Sequence, residues 1–148
     1  MKVIICGAGE VGKTLAEYLS KEKNDVTVID QSSENLKEIN ENLDINTFLG
    51  FGSQPSILEK AGAKNAEMLI AVTQSDEVNM IACEVANSQF NIPLKVARVR
   101  HQDYLDPNYN SLFSKNQISV DLIISPEIEV AEAIRRRLIA PGAFDIIP

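Results

Sequence analysis

The sequence predicts an α/β fold, a doubly wound parallel sheet of about six strands with helices on both faces. Three observations lead to it. Short apolar runs, such as 3–6 and 68–72, recur with helix-patterned stretches between them. Strands that alternate with helices in this way pair in parallel and are covered on both faces. A glycine-rich turn, Gly7-Ala8-Gly9-Glu10-Val11-Gly12, joins the first apolar run to the first helical stretch. Finally, 148 residues that are 45% hydrophobic and 24% charged have the size and balance of one globular domain.

Strand one spans 2–6, and the helix after it, 10–21, carries Val11, Leu15, Tyr18 and Leu19 at the spacing of one buried stripe. Strand two spans 25–29. Ser32 or Ser33 opens the second helix, because a serine hydroxyl accepts from the unpaired amides of a first turn. Leu36, Ile39 and Leu43 then face inward. Strand three, 45–49, runs into Gly50-Phe51-Gly52-Ser53-Gln54-Pro55, a turn that sets Pro55 at the first helical position. The short helix that follows, 56–61, ends at Gly62. Strand four is 68–72, Ser75 caps a helix over 76–90, and Asn91-Ile92-Pro93 breaks it before strand five, 94–99. A fifth helix is interrupted near Asp106-Pro107-Asn108 and resumes toward Phe113. Strand six, 121–124, leads through Ser125-Pro126-Glu127 into a last helix that reaches about Leu138 and is stopped by Ala140-Pro141-Gly142-Ala143.

Composition narrows the function. A net charge of −7 disfavours a nucleic-acid partner, since binding a phosphate backbone needs a concentrated basic surface. The one basic cluster, Arg135, Arg136 and Arg137, fans over different faces of a helix and reads as a solvated helix end. No apolar run approaches the roughly 20 residues that cross a bilayer. The N-terminus runs too soon into the glycine turn for a signal peptide, so a cytoplasmic location is expected. Cys6 and Cys83 have no second pair for a metal or disulfide pattern and are expected in the core. His101, the single histidine, reads as a loop residue.

The glycine turn carries the chemistry. Leaving a strand and entering a helix, G-x-G-x-x-G turns tightly at Gly7, lets backbone approach a pyrophosphate at Gly9 and packs helix on strand at Gly12. The helix N-terminus adds unpaired N–H groups and the positive end of a dipole. Asp30, closing strand two, stands where a carboxylate accepts from ribose hydroxyls and repels a 2′-phosphate, which favours NAD, NADH or another plain adenosine nucleotide over the 2′-phosphorylated cofactors. The sheet is thus of the Rossmann type. Thr73 and Gln74 leave strand four toward the same crevice. Asp76 and Asn79 follow, either as ligand contacts or as caps of their helix. Arg98 and Arg100 share a face at the end of strand five, for a nucleotide or for a structural ion pair. A proton donor or acceptor for hydride chemistry and a substrate-holding region are not found. Two readings follow: a nucleotide-sensing regulatory module, or the cofactor-binding half of an NAD-dependent oxidoreductase.

The glycine turn, Asp30, Gly50-Phe51-Gly52-Ser53-Gln54-Pro55 with Leu58-Glu59-Lys60-Ala61-Gly62-Ala63, and 71–80 from Ala71 to Met80 together resemble one family, the RCK or KTN (TrkA-N) regulatory domains of potassium transport. The likeness covers essentially the whole chain. It implies a domain over 1–139 that binds NAD or NADH, or ATP or ADP, with 140–148 starting a linker or strand toward a downstream domain. It implies that Gly7, Ala8, Gly9, Glu10 and Val11 hold the phosphates, Asp30 the ribose, Thr73 and Gln74 the crevice wall, and Arg98 the far side of the nucleotide. Many relatives carry an Asp directly after the glycine that ends strand three; this chain has Phe51 there, which could stack on the base instead. The resemblance further implies no catalysis and a homo-oligomer packed through late helices, with Ile128, Ala131, Ile134 and Leu138 either at the subunit contact or on the sheet. The implied partner is a membrane potassium-translocating subunit of the TrkH/TrkG kind, served from the cytoplasmic face of the inner membrane.

Overall fold

The computed structural model describes residues 1–124. The helix expected after Ser125, with Ile128, Ala131, Ile134, Leu138 and the three arginines, and the 140–148 segment lie outside the described residues. Six strands, β1 (Lys2–Cys6), β2 (Asp25–Asp30), β3 (Asn46–Leu49), β4 (Met68–Ala71), β5 (Leu94–Arg98) and β6 (Leu122–Ile124), form one sheet in the order β3-β2-β1-β4-β5-β6. All five neighbouring pairs are parallel. The expected doubly wound sheet is therefore the observed one. The chain builds outward from β1 to β3, then returns to the other edge of β1 and builds outward to β6. Connections leave β1 and β4 in opposite directions, and this opens a crevice beyond the strands' carboxyl ends.

Period-two alternation divides the sheet into two cores. Val3 and Ile5 of β1 face α1 (Glu10–Lys21) and α2 (Ser33–Asn42), joining Leu15, Leu19, Val28, Leu36 and Ile39. Ile4 and Cys6 face α3 (Pro55–Lys60) and α4 (Asp76–Phe90), joining Leu58, Leu69, Met80 and Cys83. Each fully buried leucine or isoleucine in these layers contributes about 2 kcal/mol. Because both faces are covered, β1 and β4 are almost wholly buried and read as apolar runs.

The termini of the elements follow local chemistry. Ser32 Oγ accepts from Asn35 N and caps α2; Ser75 Oγ accepts from Val78 N and caps α4. Asn91, in the left-handed region at φ 53°, ends α4, and Ile92 N returns to Ala86 O.

Several boundaries differ from the sequence reading by one residue. Strand two extends through Asp30, whose carbonyl still accepts from Gly50 N, while β4 and β5 stop at Ala71 and Arg98. β3 and β6 each begin one residue late, and Pro55 itself opens α3. Leu43 packs on the core from the residue that ends α2, not from within the helix. The fifth helix is a single turn, α5 (Gln102–Leu105), broken at Asp106, and the chain continues as a 3₁₀ segment (Pro107–Phe113). A second 3₁₀ turn, Ala63–Asn65, has no counterpart in the sequence reading. Lys95 is buried within β5. Its ammonium donates to Asn87 Oδ1 and Ile92 O and pairs with Asp121 at 3.2 Å, which fastens the edge strand β6.

Candidate functional site

A cleft of about 680 Å³ opens above the carboxyl ends of the strands, at the β1/β4 reversal. Five segments wall it: the glycine turn (Gly7, Gly9, Glu10, Val11), the end of β2 with the start of α2 (Asp30, Ser32, Asn35), the loop after β3 (Gly50, Phe51, Gly52), the loop after β4 with the start of α4 (Thr73, Gln74, Val78), and the end of β5 with the residues just past it (Arg98, Arg100). The volume lies within the 300–1,000 Å³ typical of small-molecule sites.

The three glycines of the turn meet three different demands. Gly7 has φ +116°, and a Cβ there would lie 2.9 Å from Val72 O. A Cβ on Gly12 would fall inside contact distance of Gly7 O, so the helix seats directly on the turn. At Gly9 nothing lies within 4 Å of an added Cβ. That open space is the cleft itself, and the first amides of α1, which have no intrahelical acceptor, start beside it. Such a cradle fits a phosphate group at the positive end of the α1 dipole. Ala8 and Gly12 do not line the cleft: Ala8 donates its amide to Asp30 Oδ1 at 2.9 Å, and Gly12 is occupied by packing.

Asp30 thus joins two loops. Its Oδ1 holds the glycine turn through Ala8 N, and its Oδ2 accepts from Ser32 N at 2.8 Å and lies 3.5 Å from Asn35 Nδ2. Half-buried at the wall, it keeps carboxylate lone pairs for hydroxyl donors entering the cleft. Ser32 and Asn35 stand beside it. Ser32, expected only as a cap, and Asn35, with no expected site role, reach the cleft because they follow Asp30 closely in the chain.

Behind the opposite wall, Asp76 and Asn79 neither cap α4 nor line the cleft. Asp76 accepts from Arg100 N at 3.0 Å and His101 N at 2.7 Å, pinning the chain just beyond β5 to α4. Asn79 bonds Thr73 and Arg98 O. Arg98, 4% exposed, donates through Nη2 to Thr73 O at 2.9 Å, and Arg100 does the same to Gln74 O at 3.1 Å. Both arginines therefore reach back to β4's end, as neighbours on one wall. His101 is exposed and caps α5, its Nδ1 accepting from Asp103 N. Tyr104 donates to Glu77 Oε2 at 2.7 Å, and this bond holds its phenol in the neutral form, raising its pKa.

Phe51 lines the cleft and remains 49% exposed. Beneath the same loop, Cys6 Sγ lies 3.7 Å from Gly52 O. Burial pushes the Cys6 thiol up to about 12 and raises that of Cys83 as well, so both are packing residues without thiolate character.

Similarity to known proteins agrees with this geometry. The family model of the TrkA-N domain matches residues 3–126. The chain belongs to the TrkA-N family. This TrkA-N chain is 50% identical over 147 residues to the Trk system potassium uptake protein TrkA of Azorhizobium caulinodans, covering 99% of this chain and 32% of that protein. Identity and coverage are the same against TrkA of Halomonas elongata. The chain thus spans about a third of the length of the curated relatives it matches. Among solved structures, the TrkA-N domain of inner membrane protein ybaL from Escherichia coli superposes with a TM-score of 0.72 at 20% identity, over 93% of this chain and 96% of that one. The GsuK channel bound to NAD gives 0.67 at 16% identity, over 84% of this chain and 21% of that one. A Kef CTD from Shewanella denitrificans in AMP-bound form gives 0.62 at 21% identity, over 99% and 86%. At these identities the three structures speak for the fold.

Proposed function

We propose that this TrkA-N domain is the nucleotide sensor of a potassium uptake system: it binds NAD or NADH in the cleft and passes the resulting change in conformation to a membrane potassium-translocating subunit of the TrkH/TrkG kind. The observation that carries the reading is the open cradle at Gly9, set beside a helix N-terminus and within one cleft wall of the Asp30 carboxylate. The pyrophosphate lies against the glycine turn, the adenosine ribose donates to Asp30, and the base stacks on Phe51. Thr73, Gln74 and Arg98 take the second half of the dinucleotide. ATP or ADP would use the adenosine side alone. Support comes from the fold likeness to a GsuK channel bound to NAD and to a Kef CTD in AMP-bound form, and from relatives named as Trk system potassium uptake proteins.

No bond need be made or broken at this site. A nucleotide with unequal affinity for two arrangements of the domain shifts the population between them, and that difference is the signal. The domain acts as a homo-oligomer in the cytoplasm, peripheral to the inner membrane; among the described residues no helix is long and apolar enough to cross a membrane.

Calorimetric titration of the protein with NADH, NAD, ATP and NADPH tests the reading. NADH should bind more tightly than NADPH, because Asp30 repels a 2′-phosphate. Asp30→Asn, which removes the charge while keeping an acceptor, should weaken NADH about tenfold, as expected for a hydrogen bond to an ionised group, and narrow the gap to NADPH. Binding of every nucleotide no tighter than millimolar, or a preference for NADPH, would overturn it.

A further inference from the structure

Asn79 lies in the first turn of α4 and is fully buried. Its side chain uses all of its hydrogen-bonding capacity. Oδ1 accepts from Thr73 N at 2.9 Å and from Thr73 Oγ1 at 2.6 Å, while Nδ2 donates to Thr73 O at 3.1 Å and to Arg98 O at 2.8 Å. Thr73 O accepts in addition from Arg98 Nη2 at 2.9 Å. One side chain therefore fixes the end of β4 against the end of β5. The same Val72–Thr73 peptide is the seat of the glycine turn: a Cβ on Gly7 would lie 2.9 Å from Val72 O and 3.0 Å from Thr73 N. Val72, the nearer neighbour of Gly7, is held separately by its amide bond to Cys6 O at 2.8 Å, so loss of Asn79 releases Thr73 and Arg98 while the glycine turn keeps its seat. Asn79 itself is not part of the cleft wall.

We infer that Asn79 is a positioning residue for the half of the cleft beyond the glycine turn: without touching the ligand, it sets the spacing of Thr73 and Arg98, and through them the affinity for the second, non-adenosine half of a dinucleotide. This rests on the nucleotide-binding reading above. The adenosine half is served by Asp30, Ser32 and Phe51, which have no bond to Asn79, so the two halves should respond differently to its loss.

The test compares NADH with AMP, titrated calorimetrically into the full chain as wild type, Asn79→Ala and Asn79→Asp, each checked for folding by circular dichroism. Asn79→Ala should weaken NADH about tenfold, the effect of losing one to two net hydrogen bonds, with AMP changed less than about twofold. Asn79→Asp keeps the shape and the acceptor side toward Thr73 but cannot donate to Thr73 O or Arg98 O. It should therefore resemble the alanine variant and not the wild type. Equal losses for NADH and AMP, or an Asn79→Asp protein that binds NADH as the wild type does, would overturn the inference while leaving the nucleotide reading intact. Failure of the wild type to bind either nucleotide would remove both. Should Asn79→Ala not fold, the aspartate variant and amide exchange on the wild type decide. NADH should slow exchange at Thr73 N more than AMP does, and equal slowing would count against the inference.

Discussion

Gly9 and Gly12 stand three positions apart in one motif and answer to opposite requirements. Gly9→Ala places a methyl group where no atom lies within 4 Å, so the fold should lose less than about 1 kcal/mol, the scale of an N-cap change. The same methyl enters the cleft, and nucleotide affinity should fall sharply in a titration. Gly12→Ala drives its Cβ into the backbone of Gly7, which has no rotamer to yield, and should cost about 3 kcal/mol of stability in urea denaturation, at the upper end for overpacking. The motif already assigns the two glycines different tasks, and the space around each Cβ agrees: open at Gly9, closed by the Gly7 backbone at Gly12. The cysteines carry a second expectation at this scale. In the fold the Cys6 thiol stays neutral up to about pH 12, whereas in the unfolded chain it ionises near its ordinary value of 9.0. Stability fully present below pH 9 should therefore be lost as pH rises toward 12, more steeply than in a Cys6→Ala variant. Neither thiol should react with a disulfide reagent in the native protein, and both should react once it is unfolded.

At the scale of elements, the first turn of α4 concentrates the load. Ser75→Ala should cost about 1 kcal/mol, an ordinary cap, whereas Asp76→Ala leaves Arg100 N and His101 N without their carboxylate and should cost about 3 kcal/mol. Thermal melts of the two variants would show the difference. Ser75 and Ser32 were legible as caps because a serine before an amphipathic stretch is a local signal. Asp76 and Asn79 were not, since His101, a partner of Asp76, lies 25 residues away, and Asn79 ties nearby Thr73 to Arg98, 19 residues on, across the parallel pairing of β4 with β5. Their polarity suggested a cap or a ligand, and the fold uses it for neither. Lys95 escaped for a similar reason: a charged residue within an apolar strand gives no sign of the Asn87 and Asp121 groups that satisfy it. The 107–113 stretch shows the reverse limit, where Asp106-Pro107 announces a break but no periodicity distinguishes a 3₁₀ turn from a helix.

Taken as a whole molecule, the sheet was the most legible feature, because apolar runs and amphipathic stretches alternate along nearly its full length. Strand order then placed Gly7, Asp30, Thr73 and Arg98, distant in sequence, around one cleft. At this scale the nucleotide reading predicts that NADH at a hundred times its dissociation constant stabilises the protein by about 2.7 kcal/mol, visible as a raised melting temperature, with a smaller rise for NADPH at equal concentration. The position of β1 has a further consequence in time. Its β2 edge is closed by local pairing, but its other edge waits for β4, where Val3 meets Met68 and Lys2 O accepts from Glu67 N. On a ribosome the first half of the chain must persist with that edge bare until the later half emerges, and long-range pairing of this sort is slow. The glycine turn is seated on the Val72–Thr73 peptide, so the cleft is among the last parts to close. Capture of a nucleotide would then report that β4 has paired with β1.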